Sequence, residues 1–446
     1  MIILLIWYAL AMLFLFRPLV YGQDTVGYFS WLRSAVCDHD LNVANEFAYF
    51  STQVEQSGLD VLFNLTTPTG YQYSQWTAGS AVLWLPLYTL AHGGVALSHA
   101  AGAAIVPNGY SWPYQVAASV SSTLYGLAAV LMTYRIARHY FSLFVATLAT
   151  WVIWFATPLV FYMFTHPFMS HVNDAFASTV IVYVWWHTRD RNTTALRNGV
   201  FIGLAIGLAT WVRTQNGAFL AAPLVVAGVE SIGAFRRGTY ALIWARLRQM
   251  LGVGLGFALF LLPLMLFWKH VYGAWIVNVY GLIRPPDIFD WSAPHIGSIF
   301  FSTNRGMFIW APVTLFALAG LWWLRRLDAR LTLFLGVMFM TQLYIIGSWF
   351  EWAGAASFGP RFWTNMVLLF TLGLAALLAQ MQSTPRWILL ALGTGFVVWN
   401  LLLLVQYALH TIPRSGPVDI ATMVRNQFLV IPTNLDRVIR ALIQRN

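Results

Sequence analysis

From Leu251 to Trp268 the chain reads LGVGLGFALFLLPLMLFW, without one charged residue. Crossing the hydrocarbon layer as a helix takes roughly 17–25 such residues. In lipid an isolated segment can satisfy its own backbone N–H and C=O groups only as a helix. Further apolar runs lie near 2–20, 113–134, 141–163, 171–187, 198–213, 216–230, 307–324, 331–348, 362–381 and 387–409. Only 9% of the 446 residues are charged and 59% are hydrophobic, where a soluble domain carries about 25% charge. The reading is an all-α polytopic membrane protein with about 11 transmembrane helices. It forms a single integral-membrane domain over 1–446, with no internal repeat.

Charge sets the expected orientation, because Arg and Lys gather in cytoplasmic loops. Five clusters fall on one side if every span crosses once: Arg135/Arg138, Arg189/Arg191/Arg197, Arg236/Arg237/Arg246/Arg248, Arg325/Arg326/Arg330 and Arg386. Segment 78–101 is also apolar, but counting it as a crossing breaks this agreement upstream. With Pro86, Gly93 and Gly94 inside it, it reads as a broken or interfacial helix on the outer face. The outer side then holds a first loop, 21–112, a second large loop, 269–306, and the tail, 411–446. The tail's LDRVIRALIQR has the pattern of an amphipathic helix lying on lipid. The first run, Met1 to Phe16, lacks a basic start and a small-residue cleavage site, so it reads as a retained span.

Composition excludes several classes. One cysteine, Cys37, leaves no intramolecular disulfide and makes a cysteine metal site implausible. The net charge of +10 is scattered through short loops, which argues against nucleic acid as a partner. The 22 Trp suit anchoring at membrane interfaces.

The chemistry-bearing residues cluster in the outer segments. Asp24, in GQDTVGYFSWLR, stands where the first span leaves the bilayer; it is either an interfacial acid that ends a helix or a general base. The first loop also holds Asp38, Asp40, Glu46, Glu55 and Asp60, with Arg33 as its one arginine. Asp38 and Asp40 make a DxD pair, which either shapes the loop or holds a divalent ion. In THPFMSHVNDAF, His171 and Asp174 share a helix face at i, i+3. They read as a polar pocket wall, as a helix cap, or as two ligands of an incomplete metal site. The motifs support no cofactor and no metal set. Arg213 interrupts an apolar hairpin, and Arg361 follows the turn Phe358-Gly359-Pro360 with Glu351 and Trp352 nearby. Lys269, Arg284 and Arg305 lie between them. Such cations either snorkel to headgroups or bind a phosphate, for which arginine's fork is suited.

With these residues in view, the chain resembles the GT-C superfamily of integral-membrane glycosyltransferases. The branch is the one that contains protein O-mannosyltransferases and the bacterial aminoarabinose transferase. QDTVGYFSWLRSAVCDHDLNVANEF resembles the family's pattern after the first span. WTAGSAVLWLPLY resembles its outer-face juxtamembrane helix, and SWFEWAGAASFGPRFW resembles a W-x-W-x-G-x-S-F-G-x-R signature. The resemblance implies a sugar donor on a polyprenyl phosphate and an acceptor hydroxyl on a glycan, lipid or protein. It implies an inverting displacement with Asp24 as general base. Asp174, His171, Asp40 and Glu351 would position donor or acceptor, and Arg213, Arg361, Arg305 and Lys269 would hold the phosphate. The expected setting is a bacterial inner membrane with the active site on its periplasmic face. The chain departs from the pattern at Thr25, where many relatives hold a second acid, and at Gln115, often Arg. The competing reading is a transporter or flippase of an anionic lipid or sugar; the polar content lies in unlike outer loops rather than in paired repeats with broken helices.

Overall fold

The computed structural model describes residues 1–53, 62, 65–282 and 288–436. Among these the chain is helical, with only isolated bridges at Thr66–Gln72 and Phe289–Trp349. Arg284, Glu55, Asp60 and most of the predicted tail helix lie outside the described residues.

Each predicted span contains a helix. In chain order these are α1 (Ile2–Leu15), α2 (Gln23–Arg33), α3 (Ala44–Gln53), α4 (Gly79–Ala100), α5 (Trp112–Tyr140), α6 (Leu143–Phe155), α7 (Ser170–Thr188), α8 (Ala195–Val212) and α9 (Ala221–Arg236). They continue with α10 (Tyr240–Tyr272), α11 (Ile296–Phe301), α12 (Met307–Trp310), α13 (Val313–Leu327), α14 (Ala329–Ser348), α15 (Val367–Gln380), α16 (Arg386–Ala408) and α17 (Ile420–Thr433). Among the described residues, 8 helices are long and apolar enough to cross a membrane, and α1 and α6 are apolar but shorter. The protein is an integral membrane protein.

Of the two forms expected for segment 78–101, broken or interfacial, the broken one is corrected: α4 is a continuous 22-residue helix through Pro86, Gly93 and Gly94. No Cβ added at either glycine meets another atom within 4 Å, so nothing in the packing forces a break there. By length and composition α4 is itself long enough to span.

The chain divides into two compact units: Met1–Phe16, Ala129–Thr165 and Phe289–Asn446 form the first, and Arg17–Ala128 with His166–Ile288 the second. In the second unit, α8 and α10 touch backbone to backbone. A Cβ on Gly199 would stand 2.0 Å from the Gln249 carbonyl oxygen, and one on Gly203 2.1 Å from that of Val253. From the other side, Gly252 and Gly256 would meet the carbonyls of Leu196 and Val200, each at 2.1 Å. The paired numbers rise together, so the two helices run parallel and their arginine-bearing N-termini share one end. Lipid supplies no hydrophobic drive between helices, and small residues that allow close approach supply the packing instead.

The same unit holds a compact layer built on α2. Val26, Phe29, Trp31 and Leu32 pack with Val43, Phe47 and Phe50, and with Trp84 and Tyr88 of α4. Burial on nearly every face makes α2 part of a folded loop rather than a lipid-facing span.

In the first unit, Gly320 of α13 and Gly373 of α15 make the equivalent close approach, 1.8 Å from a built Cβ to the facing oxygen. Asn400 of α16 donates to the carbonyls of Phe155 and Thr157, at 2.8 and 3.0 Å, and so satisfies the end of α6. Asp328 caps α14 at Leu331 N and accepts a 2.6 Å bond from Tyr140. The helix found in the tail, α17, lies against α16, where Gln406 donates to the Met423 carbonyl.

Candidate active site

Asp24 occupies the first turn of α2, after Gly22 at φ 79°. There the helix dipole favours a negative charge. The indole N–H of Trp76 donates to its Oδ1 at 2.9 Å. Trp76 is itself fixed from three sides. Trp31 donates to its carbonyl at 2.8 Å, and Phe47 meets its ring edge-on at 6.0 Å. The third side is Gly27, where a Cβ would fall 2.0 Å from Trp76 Cδ2. The indole thus lies flat on the bare backbone of α2, one turn from the acid it contacts. Thr25 is fully buried and its hydroxyl donates to the Tyr21 carbonyl at 2.6 Å, closing the start of the helix. Gln115 accepts from Val20 N and donates to the Tyr110 carbonyl, both at 2.9 Å, so it ties the exit of the first span to α5.

The residue after Trp76 leads to the second group. Thr77 donates to the Val212 carbonyl at 2.7 Å, and a Cβ on Gly79 would meet the Trp211 backbone at 2.1 Å. The start of α4 is therefore pressed on the end of α8, which Arg213 follows directly in an extended conformation. Arg213 Nη1 donates to His171 Nδ1 at 2.9 Å and stands 3.8 Å from Asp174. An arginine only donates, so Nδ1 is the unprotonated nitrogen of His171. Asp174 Oδ1 accepts from Asn216 at 2.7 Å and from Ser178 at 3.2 Å. The helix-cap reading of Asp174 is corrected: α7 begins at Ser170 with no side-chain cap, and Asp174 lies in its second turn. Ser170 bonds the Tyr28 hydroxyl at 3.1 Å and His166 packs on Tyr21 at 4.4 Å, which joins the start of α7 to α2. Asp24, His171, Asp174 and Arg213 are thus brought into one neighbourhood, along with Trp76, Gly27 and Asn216, to which the sequence reading gave no role.

The remaining predicted residues of this unit turn elsewhere. Asp40 accepts from Ser34 Oγ at 2.7 Å and Asn42 N at 3.0 Å, a local turn. Asp38 pairs with Arg33 and with Asn45, so the two acids of the DxD face different partners. Among the described residues no three His, Cys, Asp or Glu side chains converge as a metal site. Lys269 is exposed and donates to the Gly273 carbonyl at 2.9 Å, closing the C-terminus of its own helix. Arg33 binds Asp38, Glu46 at 2.8 Å and the Asn108 carbonyl at 3.0 Å, and stacks on Tyr110. Glu46 is fully buried, and this burial pushes its carboxyl up to about 7, outweighing the Arg33 bond that acts the other way.

Arg305, Glu351 and Arg361 belong to the first unit. Arg305 is 2% exposed and donates to the carbonyls of Ser357 (3.0 Å), Pro413 (3.2 Å), Gly416 (2.6 Å) and Arg414, and to Asn304 Oδ1 (2.9 Å). Its guanidinium is a hub for two loops. Glu351 lies in the turn after α14, its carbonyl bonded by Gly354 N at 2.8 Å. Arg361 follows Gly359 at φ 59° and sits against Gly354 at φ 83°, where a Cβ would approach its Nε to 2.9 Å.

The helices define the fold class: the chain has a GT-C-like all-helical membrane fold. Among solved structures, ArnT from Cupriavidus metallidurans in the apo state aligns with 100% of this chain and 71% of its own, at TM-score 0.56 and 16% identity. ArnT bound to undecaprenyl phosphate aligns over the same shares at TM-score 0.54 and 15% identity. The archaeal oligosaccharyltransferase AglB from Archaeoglobus fulgidus, in complex with an inhibitory peptide and a dolichol-phosphate, aligns at TM-score 0.46 and 13% identity, over 99% of this chain and 55% of its own. No family model matches the sequence, and no curated protein matches it significantly.

Proposed function

We propose that the protein is a glycosyltransferase that moves a sugar from a polyprenyl-phosphate donor to an acceptor hydroxyl. The observation that carries this reading is the Trp76–Thr77 link, which ties an oriented carboxylate, Asp24, to the Val212 carbonyl directly before Arg213, within a GT-C-like fold. The solved ArnT complex with undecaprenyl phosphate supports the choice of lipid carrier.

The acceptor oxygen attacks the anomeric carbon while its proton passes to the Asp24 carboxylate. The bond from that carbon to the phosphate oxygen breaks, and polyprenyl phosphate leaves with the bonding pair. One displacement inverts the anomeric configuration. Arg213 meets the charge that grows on the leaving phosphate, and His171 and Asp174 hold its fork in place. Arg305 and Lys269 are left out of the phosphate set, because their donors already serve backbone carbonyls. The positive-inside pattern supports a site on the face opposite the arginine clusters, and the setting we propose for that face is the periplasmic side of a bacterial inner membrane.

The test is a screen of polyprenyl-phosphate sugars on the purified protein, with Asp24→Asn as the control. Sugar transfer with inversion, lost in Asp24→Asn, is expected. Lipid or sugar transport in liposomes without any glycosylated product would overturn the reading.

A further inference from the structure

A second feature of α8 starts from the helix end opposite Arg213. Between α7 and α8, closed by Phe260 of α10, runs a groove of about 410 Å³. Its walls are apolar, formed by Val180, Tyr183, Val184, Phe201 and Leu208, and it ends at His187 and Thr188. That end is basic. Arg191 Nη2 donates to His187 Nε2 at 3.2 Å. Beside it a smaller recess of about 370 Å³ is lined by Thr193, Thr194, Arg197 and Arg248. Asn198 fixes the connecting turn by donating to the carbonyls of Thr188 and Arg191, at 3.3 and 3.1 Å, and to Thr194 Oγ1 at 3.0 Å. The acids nearby are engaged: Asp190 stands 3.6 Å from Arg189 and Glu230 2.6 Å from Arg246. Arg191, Arg197 and Arg248 enter no ion pair among the described residues.

We infer that this groove seats an anionic phospholipid, with one acyl chain along α7 and α8 and its phosphate at the His187–Arg191 end. Apolar walls alone would accept any lipid tail. The three arginines at one end select the headgroup charge, since each basic side chain at an anionic surface adds attraction. The 18 residues of α8 separate this end from Arg213 by about 27 Å. The basic end of the groove therefore lies nearly a bilayer's thickness from Arg213, while its apolar end, at Leu208, stops about one and a half turns short of it.

Native mass spectrometry of the purified full chain, offered phosphatidylglycerol or phosphatidylcholine with identical acyl chains, tests the inference without sugar transfer. Retention of phosphatidylglycerol is expected to exceed that of phosphatidylcholine by roughly tenfold. The exposed double variant Arg191→Gln/Arg197→Gln should bring the two to parity, and Leu208→Trp should lower both. Equal retention by the wild type, or a phosphatidylglycerol preference untouched by the double variant, would overturn the inference. So would displacement of phosphatidylglycerol by equimolar undecaprenyl phosphate, which would make the groove a carrier site. Loss of transferase activity in Asp24→Asn bears on the separate proposal and leaves this readout unchanged.

Discussion

If the Trp76 indole orients Asp24, removing its N–H or its seat should slow transfer without unfolding the protein. Trp76→Phe keeps an aromatic ring against Phe47 and Gly27 but deletes the 2.9 Å bond to Asp24 Oδ1. A hydrogen bond to a charged group is worth about 1.5–3 kcal/mol, so kcat/KM should fall by roughly 10- to 150-fold if the bond is fully expressed in the transition state. Gly27→Ala reaches the same bond from below. Its methyl would lie 2.0 Å from Cδ2 and 2.1 Å from Cε3 of the indole, so the ring must lift off α2. Asp24→Asn should cost more, about 10²- to 10⁴-fold, the range of a general base. The assay is single-turnover transfer from a polyprenyl-phosphate sugar by purified protein, with thermal melting as the folding control. Trp76→Phe at wild-type rate beside an inactive Asp24→Asn would refute the orientation argument. An active Asp24→Asn would refute the base itself.

Other perturbations separate packing from chemistry. Arg305→Lys loses the fork that reaches carbonyls of two loops; it should destabilise by about 2–4 kcal/mol in thermal melts while leaving KM for the donor unchanged. Gly203→Leu drives a side chain into the Val253 backbone, where even a Cβ stands at 2.1 Å; overpacking of about 1–3 kcal/mol or more should lower the melting temperature. Glu46 binds its proton more tightly folded, near pH 7, than unfolded, near 4.5. Between those values the folded state holds the extra proton, so stability falls as pH rises through this window and levels off above it. Melts from pH 4.5 to 8 should show that decline in the wild type and a flatter profile in Glu46→Gln.

The sequence by itself determined the helices and their membrane setting. Uncharged runs such as 251–268 leave the backbone no partner but itself, and every predicted span holds a helix. Charge also marked Asp24, His171, Asp174 and Arg213, because ionisable groups beside apolar runs are conspicuous. Spacing alone left their partners open: Asp174 reads equally as a cap until Asn216, 42 residues later, is seen to bond it. Trp76 stood in plain view within WTAGSAVLWLPLY, yet nothing local says that its indole crosses 52 residues to Asp24. Gly27 has meaning only once that ring lies on it. A finer signal was present and unread, the glycines four apart at 199, 203 and 207 and at 252 and 256 that bring α8 onto α10. Tertiary structure alone decided which cations are occupied. Arg305 and Arg213 look alike in sequence, but one is enclosed by carbonyls of its own loops and the other is braced by His171. Periodicity and hydropathy are properties of neighbours along the chain; which donor meets which acceptor depends on helices that approach only when the bundle closes.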